Sequence, residues 1–418
     1  MRPLFSIVIP TRDRPNLLRE AIQSALEQEF DDCEIIVSDN STNSETEKVV
    51  SEFESKKLKY FRTPKPLDMP KSWDFALSKA NGKFITFLED DDLLTKKFLQ
   101  FYSKFVNLRE NKDIKVFSYG HAVFSRIDKI LQKQNLGNFE EKEYRLVFYI
   151  LNSKDIINSF NARDRFNHLI LSGWGFFNPQ VSFIDKNFYD FIRNKYGRCF
   201  FNWVPDVTFS LVALYELSKE SNNVLYISIP FLIARDTSVS YGYGARENRG
   251  DPEKVKEFLY QFEEFKEELI FSPFRDLFTV WNCLYDSFLI AFDIIGRNEV
   301  YNLAGKDIIR SFHRKFFVKM LEELGNLSKK DKYYEKYQKK IKMHFYFWKI
   351  KNFLSGLIQD REYVKEVLFS RLKYLLHIQD KKDSSYLNIL TYYVSDLTEA
   401  LNITDRIVNE KISQLNLD

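Results

Sequence analysis

Short apolar runs alternate with segments of helical spacing through the first hundred residues. Residues 5–9 form a β-branched run that ends at Pro10, and residues 17–26 then repeat apolar side chains at helical intervals. Further apolar runs at 34–37 and 83–88 continue the alternation. Strands and helices that alternate with short connections predict an α/β fold with a doubly wound, mainly parallel sheet. Ligands of such sheets bind along the edge where the strands end.

Composition excludes several classes of function. The chain has 418 residues, of which 44% are hydrophobic and 29% charged, so it can form more than one folded domain. Its net charge of +3 argues against a protein that binds nucleic acid by bulk charge. Cys33, Cys199 and Cys283 are far apart, so neither a disulfide framework nor a zinc site is predicted. No leader and no run of 18 apolar residues is recognisable, and we expect a cytoplasmic protein.

Sequence character changes near residue 250. An α/β domain is expected over 1–250, with a first half at 1–110 and a second at 111–250, and residues 153–166 within it have helical spacing. Beyond 251, glycine and proline become rare and helical periodicity dominates. A helical C-terminal domain is therefore predicted over 251–418.

Four consecutive acidic residues, Glu89 to Asp92, follow the apolar run at 83–88 directly. Clustered carboxylates are electrostatically costly unless a positive group compensates them. A hard divalent cation with oxygen ligands, Mg²⁺ or Mn²⁺, is the natural compensation. The alternative is that Asp92 or Thr95 caps the helix that contains Phe98.

A second acidic residue, Asp39, ends the run at 34–37 and precedes Asn40 and Ser41. A carboxylate at this place in a doubly wound sheet can accept hydrogen bonds from a nucleoside. The same three residues also form a good turn without any ligand. The residues alone do not separate these two interpretations.

Segments 10–15, 34–41 and 82–92 together resemble the family 2 glycosyltransferases of GT-A fold. Segment 69–77 is similar to the helix that precedes the metal motif in many bacterial members. The resemblance is strong over residues 4–105 and ends near 250. It implies a GT-A fold and an inverting, metal-dependent transfer of sugar from a nucleotide-diphosphate sugar, with a UDP-sugar as the expected donor. The implied acceptor is a hydroxyl of a glycan or lipid-linked glycan in surface polysaccharide biosynthesis.

The resemblance also implies roles for individual residues. Asp91 stands in the family's Asp-x-Asp motif as the first candidate ligand of Mn²⁺ or Mg²⁺, with Asp90 as the second. Glu89 departs from the motif's usual aspartate. The donor nucleotide is expected to contact Pro10, Thr11, Arg12, Asp39, Lys71, Glu89, Asp90 and Arg235. Arg235 replaces a histidine that is common in the family and can bind the diphosphate with two parallel hydrogen bonds.

Asp206 is the expected catalytic base. In the family an aspartate at a helix start in the second half deprotonates the acceptor, and segment 203–207 lies in the corresponding place. The alternative is that Asp206 only caps the helix over 207–219. Trp174 is a candidate platform for the acceptor sugar, and the alternative is a buried tryptophan that packs against the sheet. The glycine-rich segment 241–244 suits either a lid or a linker.

Residues 329–351 contain nine lysines and two acids interleaved with aromatic side chains. Such a segment suits an anionic membrane surface, although a helical bundle with solvated lysines is the favoured interpretation. Homo-oligomerisation through the C-terminal helices is left open. Two rival functions are a sugar nucleotidyltransferase, which would want glycine in segment 11–15, and a non-catalytic scaffold that binds a sugar nucleotide.

Overall fold

The computed structural model describes residues 2–108, 111–126, 144–151, 156–172, 177–220, 222–236, 252–262, 266, 268–329, 332–359, 387–394 and 396–415. The strands in this part of the chain are β1 (Phe5–Thr11), β2 (Cys33–Asp39), β3 (Leu58–Arg62), β4 (Phe84–Phe87), β5 (Leu93–Leu94), β6 (Val116–Arg126), β7 (Tyr144–Leu151), β8 (Ile157–Asn161), β9 (Ser182–Asp185), β10 (Asn223–Asp236) and β11 (Leu387–Val394).

The helices with described positions lie between these strands and in the C-terminal part. They are α1 (Pro15–Leu26), α2 (Glu45–Ser51), α3 (Met69–Lys79), α4 (Phe98–Phe105), α5 (Ala162–Ser172), α6 (Lys186–Tyr196), α7 (Pro205–Lys219), α8 (Pro252–Leu259), α9 (Val280–Ile295), α10 (Arg297–Ala304), α11 (Lys306–Leu327), α12 (Glu335–Gln359) and α13 (Leu397–Ser413). None of these helices combines the length and the apolarity needed to cross a bilayer.

One sheet runs through the described residues in the order β11-β7-β6-β9-β4-β1-β2-β3, and β10 pairs with β5, β6 and β8. The strands β4, β1, β2 and β3 are parallel, as the alternation in the first hundred residues predicts. Their carboxyl ends therefore lie along one edge. The antiparallel β9 joins this parallel part to β6.

Helices cover both faces of the sheet. Ile7 and Ile9 of β1 pack with α1 and α4 on one face, whereas Val8 packs with α3, α5 and α7 on the other. The core on the face of Val8 continues into the C-terminal helices, where it includes Phe288 and Phe316. Alternate side chains of a strand point to opposite faces, and here both faces are buried, as is usual for a parallel sheet.

A glycine lets the sheet close against α3. The backbone N–H of Gly82 donates to Ser6 Oγ at 2.8 Å. A Cβ at position 82 would lie 2.5 Å from the backbone nitrogen of Ser6 and 2.6 Å from the carbonyl carbon of Phe5, closer than real Cβ atoms come. Glycine is needed here because two backbones approach each other.

Two strands depart from the sequence-based expectations. Residues 157–161, which have helical spacing in the sequence, form β8 and pair antiparallel with β10, with Ile157 opposite Ile227. Likewise β11 lies within the region 251–418 and extends the sheet by pairing with β7. Among its described residues the region is otherwise helical as predicted, but β11 and the following α13 pack against strands β6, β7 and β10 of the second half. The boundary at residue 250 stays a prediction.

Candidate active site at the strand ends

The ends of the neighbouring strands β1 and β4 bring Thr11 and Asp90 together. Thr11 is the last residue of β1, and its Oγ1 donates to Asp90 Oδ2 at 2.6 Å. Asp90 and Asp91 are buried, whereas Glu89 is partly exposed. Because β1 and β4 are parallel partners, a threonine and an acidic residue distant in sequence meet directly.

An arginine compensates the charge of the acidic residues. The Nη2 atom of Arg14 lies 2.5 Å from Asp90 Oδ1, and its Nη1 donates to Asp91 Oδ2 at 3.1 Å. Arg14 follows Asp13, whose φ of 56° is in the left-handed region and turns the chain sharply after β1. The sequence alone assigns Arg14 no role. Its one indication there is a second arginine in segment 10–15.

Burial is the main cause of the raised pKa values of Asp90 and Glu89. Desolvation raises the pKa of Asp90 to about 6, although Arg14 opposes the shift. Desolvation, together with the nearby charge of Asp91, raises the pKa of Glu89 to about 7. Both shifts arise because a low-dielectric surrounding disfavours the charged form. The cluster of Glu89, Asp90 and Asp91 is thus a place where additional positive charge is stabilising.

Asp92 and Arg235 tie β10 to this cluster. The backbone N–H of Arg235 donates to Asp92 Oδ1 at 3.0 Å, and its guanidinium donates to the carbonyl of Asp91 and to the carboxylate of Glu20. The alternative that Asp92 or Thr95 caps the next helix is wrong, because α4 begins after Lys97 with no side-chain cap. Asp92 serves the contact with β10 instead. The expected contact of Arg235 with a diphosphate stays a prediction.

Asp39 is buried at the end of β2. Its Oδ1 accepts the backbone N–H of Ser41 at 2.8 Å, and its Oδ2 accepts the hydroxyl of Tyr60 at 2.7 Å. The turn bond to Ser41 matches the turn interpretation of this segment, and a nucleoside contact stays a prediction. Tyr60 lies on the adjacent strand β3, so it could not be inferred from the local sequence.

The start of α3 is fastened to the same edge. Asn40 accepts the backbone N–H of Leu67 at 2.7 Å and donates to its carbonyl at 2.9 Å, and Arg12 donates to that carbonyl at 3.3 Å. Asp68 then caps α3, and Lys71 in its first turn donates to Asp68 at 2.9 Å. Arg12 and Lys71 are thereby held next to the ends of β1 and β2, together with Pro10.

Asp206 lies in the first turn of α7, where Pro205 begins the helix. Its carboxylate accepts backbone N–H groups of its own first turn, and desolvation raises its pKa to about 6. The charge of Asp206 also raises the pKa of Glu89, so these two carboxylates lie within electrostatic reach of each other. Gln180, which the sequence did not indicate, donates to Glu89 at 3.0 Å from the same side.

The C-terminal helices hold the segment that leads into Asp206. Trp203 Nε1 donates to Asp286 Oδ2 at 3.2 Å, and Asn202 Nδ2 donates to Ser287 Oγ at 3.1 Å. Asn202 has a φ of 60°, a left-handed conformation that these contacts maintain. Asp286 is fully buried and also accepts the backbone N–H groups of residues 270–272. Helix α9 therefore fixes the approach to the first turn of α7.

The carboxylates suit a hard cation in kind, since oxygen ligands are those that Mg²⁺ and Mn²⁺ prefer. Within the described ranges, however, no three His, Cys, Asp or Glu side chains are grouped to hold a metal ion. Arg14 bridges Asp90 and Asp91, and Thr11 uses the other oxygen of Asp90. The expected acceptor residue Trp174 and segment 241–244 lie outside the described residues.

Residues 6–144 match the model of the family described as Glycosyl transferase family 2. A Campylobacter jejuni protein, GalNAc(5)-diNAcBac-PP-undecaprenol beta-1,3-glucosyltransferase, is 39% identical over 95 residues, covering 22% of this chain and 31% of that protein. An uncharacterized glycosyltransferase of Methanocaldococcus jannaschii is 29% identical over 153 residues, covering 35% of this chain and 52% of that protein. The chain thus spans from about a third to half of these relatives.

Solved structures give weaker similarity. S. aureus TarS 1–349 in complex with UDP-GlcNAc aligns over 75% of this chain and 83% of its own, with 15% identity and a TM-score of 0.39. The mannosyltransferase PcManGT from Pyrobaculum calidifontis in complex with GDP-Man and Mn²⁺ aligns over 82% and 84%, with 12% identity and a TM-score of 0.37. The similarity to the family accordingly covers residues 6–144.

Proposed function

We propose that the chain transfers a sugar from a nucleotide-diphosphate sugar to a hydroxyl of a glycan or lipid-linked glycan. The premise is the match of residues 6–144 to glycosyl transferase family 2. One observation carries the proposal. The acidic cluster at the end of β4 lies beside Thr11 at the end of β1 and within electrostatic reach of Asp206 at the start of α7. A donor diphosphate and an acceptor base then share one edge of the sheet.

The donor nucleotide binds at the ends of β1 and β2 in this proposal. Asp39 is the hydrogen-bond acceptor for the nucleoside, and Thr11 and Arg12 line it beside Pro10. A UDP-sugar is the expected donor. Lys71 and Arg235 supply positive charge toward the diphosphate, since guanidinium and ammonium groups are the usual partners of phosphate oxygens.

Asp91, with Asp90, would hold Mn²⁺ or Mg²⁺ at the acidic cluster. When bound, the ion would supply positive charge to the departing diphosphate. Arg14 now neutralises the same two carboxylates, so it competes with a cation there or moves to the diphosphate. In either arrangement the chain presents a positive group at the point where the leaving group gains negative charge.

Asp206 removes the proton from the acceptor hydroxyl as its oxygen attacks the anomeric carbon. The new glycosidic bond forms on the face opposite the bond to the diphosphate, which breaks, and the configuration inverts. A carboxylate whose pKa is about 6 is mostly ionised at neutral pH and still takes up a proton readily. The backbone N–H groups of the first turn of α7 orient it.

The acceptor is assigned to a glycan on a lipid carrier. The name of the Campylobacter jejuni relative specifies an undecaprenol-linked glycan as its acceptor, and 95 residues of this chain are similar to that protein. Trp174 is the proposed platform for the acceptor sugar. An assay with lipid-linked and free oligosaccharides would identify which of the two is used.

A thermal-shift experiment tests the donor site first. UDP, GDP, dTDP and CMP are each added with Mn²⁺, Mg²⁺ or EDTA. A ligand at about 100 times its dissociation constant raises the free energy of unfolding by about 2.7 kcal/mol. We expect a metal-dependent shift with UDP that Asp91→Ala abolishes and that the exposed control Asp31→Ala retains. No shift with any nucleotide would overturn the proposed donor site.

A further inference from the structure

Helix α12 has an exposed apolar face that its packing does not use. Tyr337 and Ile341 are buried on one side of the helix, and Phe345 and Trp348 pack partly against the same core. The sequence-based bundle interpretation is therefore correct for this side. The remaining large apolar side chains of the helix need a separate explanation.

Three of these side chains are exposed together. Met343 is 58% exposed, Tyr346 62% and Phe347 61%. Residues at i, i+3 and i+4 lie on one face of a helix, and these three lie opposite the buried side. The rings of Tyr346 and Phe347 also contact each other, with centroids 6.3 Å apart. We refer to Met343, Tyr346 and Phe347 as the apolar patch.

Lysines continue the same face toward the start of the helix. Lys336, Lys339 and Lys340 lie on it at helical spacing, and Lys342 flanks the patch. Glu335 lies at the helix start, and Asp276 Oδ1 lies 3.8 Å from Lys340 Nζ. The face therefore combines protruding apolar side chains with a surplus of positive charge.

We propose that this face of α12 binds the surface of an anionic lipid bilayer. Methionine and aromatic side chains enter the boundary between headgroups and acyl chains, while lysines beside them are attracted to anionic headgroups. A second copy of the chain fits less well. With the helices parallel, a two-fold contact would bring the lysines of both copies together, and with the helices antiparallel it would bury only three apolar side chains from each copy. Binding of this face to a bilayer does not depend on sugar transfer, although a membrane surface is where a lipid-linked acceptor is found.

The test measures sedimentation of the full-length chain with lipid vesicles. One set consists of phosphatidylcholine alone and the other of equal parts phosphatidylcholine and phosphatidylglycerol. We expect binding to the anionic vesicles that weakens as salt is added, and little binding to the neutral ones. The variant M343S/Y346S/F347S should bind the anionic vesicles at least about tenfold more weakly, because it removes the inserting groups. K339Q/K342Q should weaken binding by about tenfold as well.

Tyr301→Ser is the matched control, since Tyr301 is 47% exposed on another helix and should bind vesicles as the unchanged chain does. Equal melting temperatures of the variants show that they are folded. Absence of binding to anionic vesicles, or equal binding by the patch variant, would overturn the proposal. So would a dimer in sedimentation velocity that M343S/Y346S/F347S dissociates, because a second copy would then occupy the face. Nucleotide binding is unaffected by any of these outcomes.

Discussion

Two acidic regions of the molecule are stabilised by different kinds of partner. At the end of β4, Asp90 and Asp91 are bridged by the guanidinium of Arg14. At the start of α7, Asp206 is held by backbone N–H groups of its own helix and by the field of the helix N-terminus. In the first region the cationic guanidinium of Arg14 compensates the negative charge of two aspartates. The second holds one carboxylate beside neutral dipoles.

This difference indicates a division of labour. Burial raises the pKa of both Asp90 and Asp206 to about 6, so the difference lies in their partners. Carboxylates bridged by a guanidinium are suited to binding positive groups. A carboxylate held only by dipoles can take up a proton near neutral pH without breaking an ion pair. Sugar transfer from a nucleotide needs both, one for the leaving diphosphate and one for the attacking hydroxyl.

Asp206→Asn should have the largest effect. Loss of a general base lowers kcat by about 10²- to 10⁴-fold. The UDP-dependent thermal shift should remain, because the proposed donor contacts lie at the ends of β1 and β2 and do not include Asp206. Steady-state kinetics and thermal shift of the same preparation make this test, with Asp190→Asn on the surface as the control. A variant that keeps full activity would assign Asp206 only a structural role.

Asp286→Ala should weaken the support of Asp206 from a distance. Removing this buried acceptor leaves the indole of Trp203 and three backbone N–H groups without their partner, which costs about 3 kcal/mol of unfolding free energy. Urea denaturation measures this loss. We expect kcat to fall more than the affinity for UDP, since the acidic cluster at β4 does not contact Asp286. Equal losses in both would show that the two regions are not supported separately.

Arg14→Ala should remove the cation from the acidic cluster. Two buried carboxylates then lack their guanidinium, and the free energy of unfolding falls by about 2 kcal/mol. Mn²⁺ should raise the melting temperature of this variant more than that of the unchanged chain, because it no longer competes with Arg14. Arg19→Ala, in an exposed pair with Glu52, is the control and should respond to Mn²⁺ as the unchanged chain does. Identical responses in all three proteins would argue against a cation at Asp90 and Asp91.

The pH dependence of activity should report Asp206. Its pKa is raised to about 6, so kcat/KM should fall about tenfold per pH unit below that value as the base becomes protonated. The raised pKa of Asp206 also sets the direction in which its contribution to stability changes with pH. Because burial disfavours the charged form, the contribution of Asp206 to stability decreases as pH rises from about 4 to about 6. Asp206→Asn should reduce this slope in a series of melting curves, while Asp90 and Glu89, whose pKa values are also raised, keep their share of it.

Much of the first half could be predicted from the sequence, because its signals are local. Residues 5–9 and 83–88 are apolar and bounded by turn-forming residues, so their strands and their parallel order follow from pattern alone. Pro15 suits a first helical turn before the apolar repeat at 17–26, and α1 does begin at Pro15. Glycine is needed at position 82 for the close approach of β1, a contact that the local pattern does not show.

Two features follow from the sequence alone: the alternation of strands and helices, and the residue types that end each strand. These depend on spacing along the chain and on side-chain chemistry. Only the tertiary structure decided that Arg14 bridges Asp90 and Asp91, that Asp286 supports the approach to Asp206, and that β8 and β11 are strands. Each of these is a contact between residues distant in sequence, and its free energy exists only once the sheet brings the partners together.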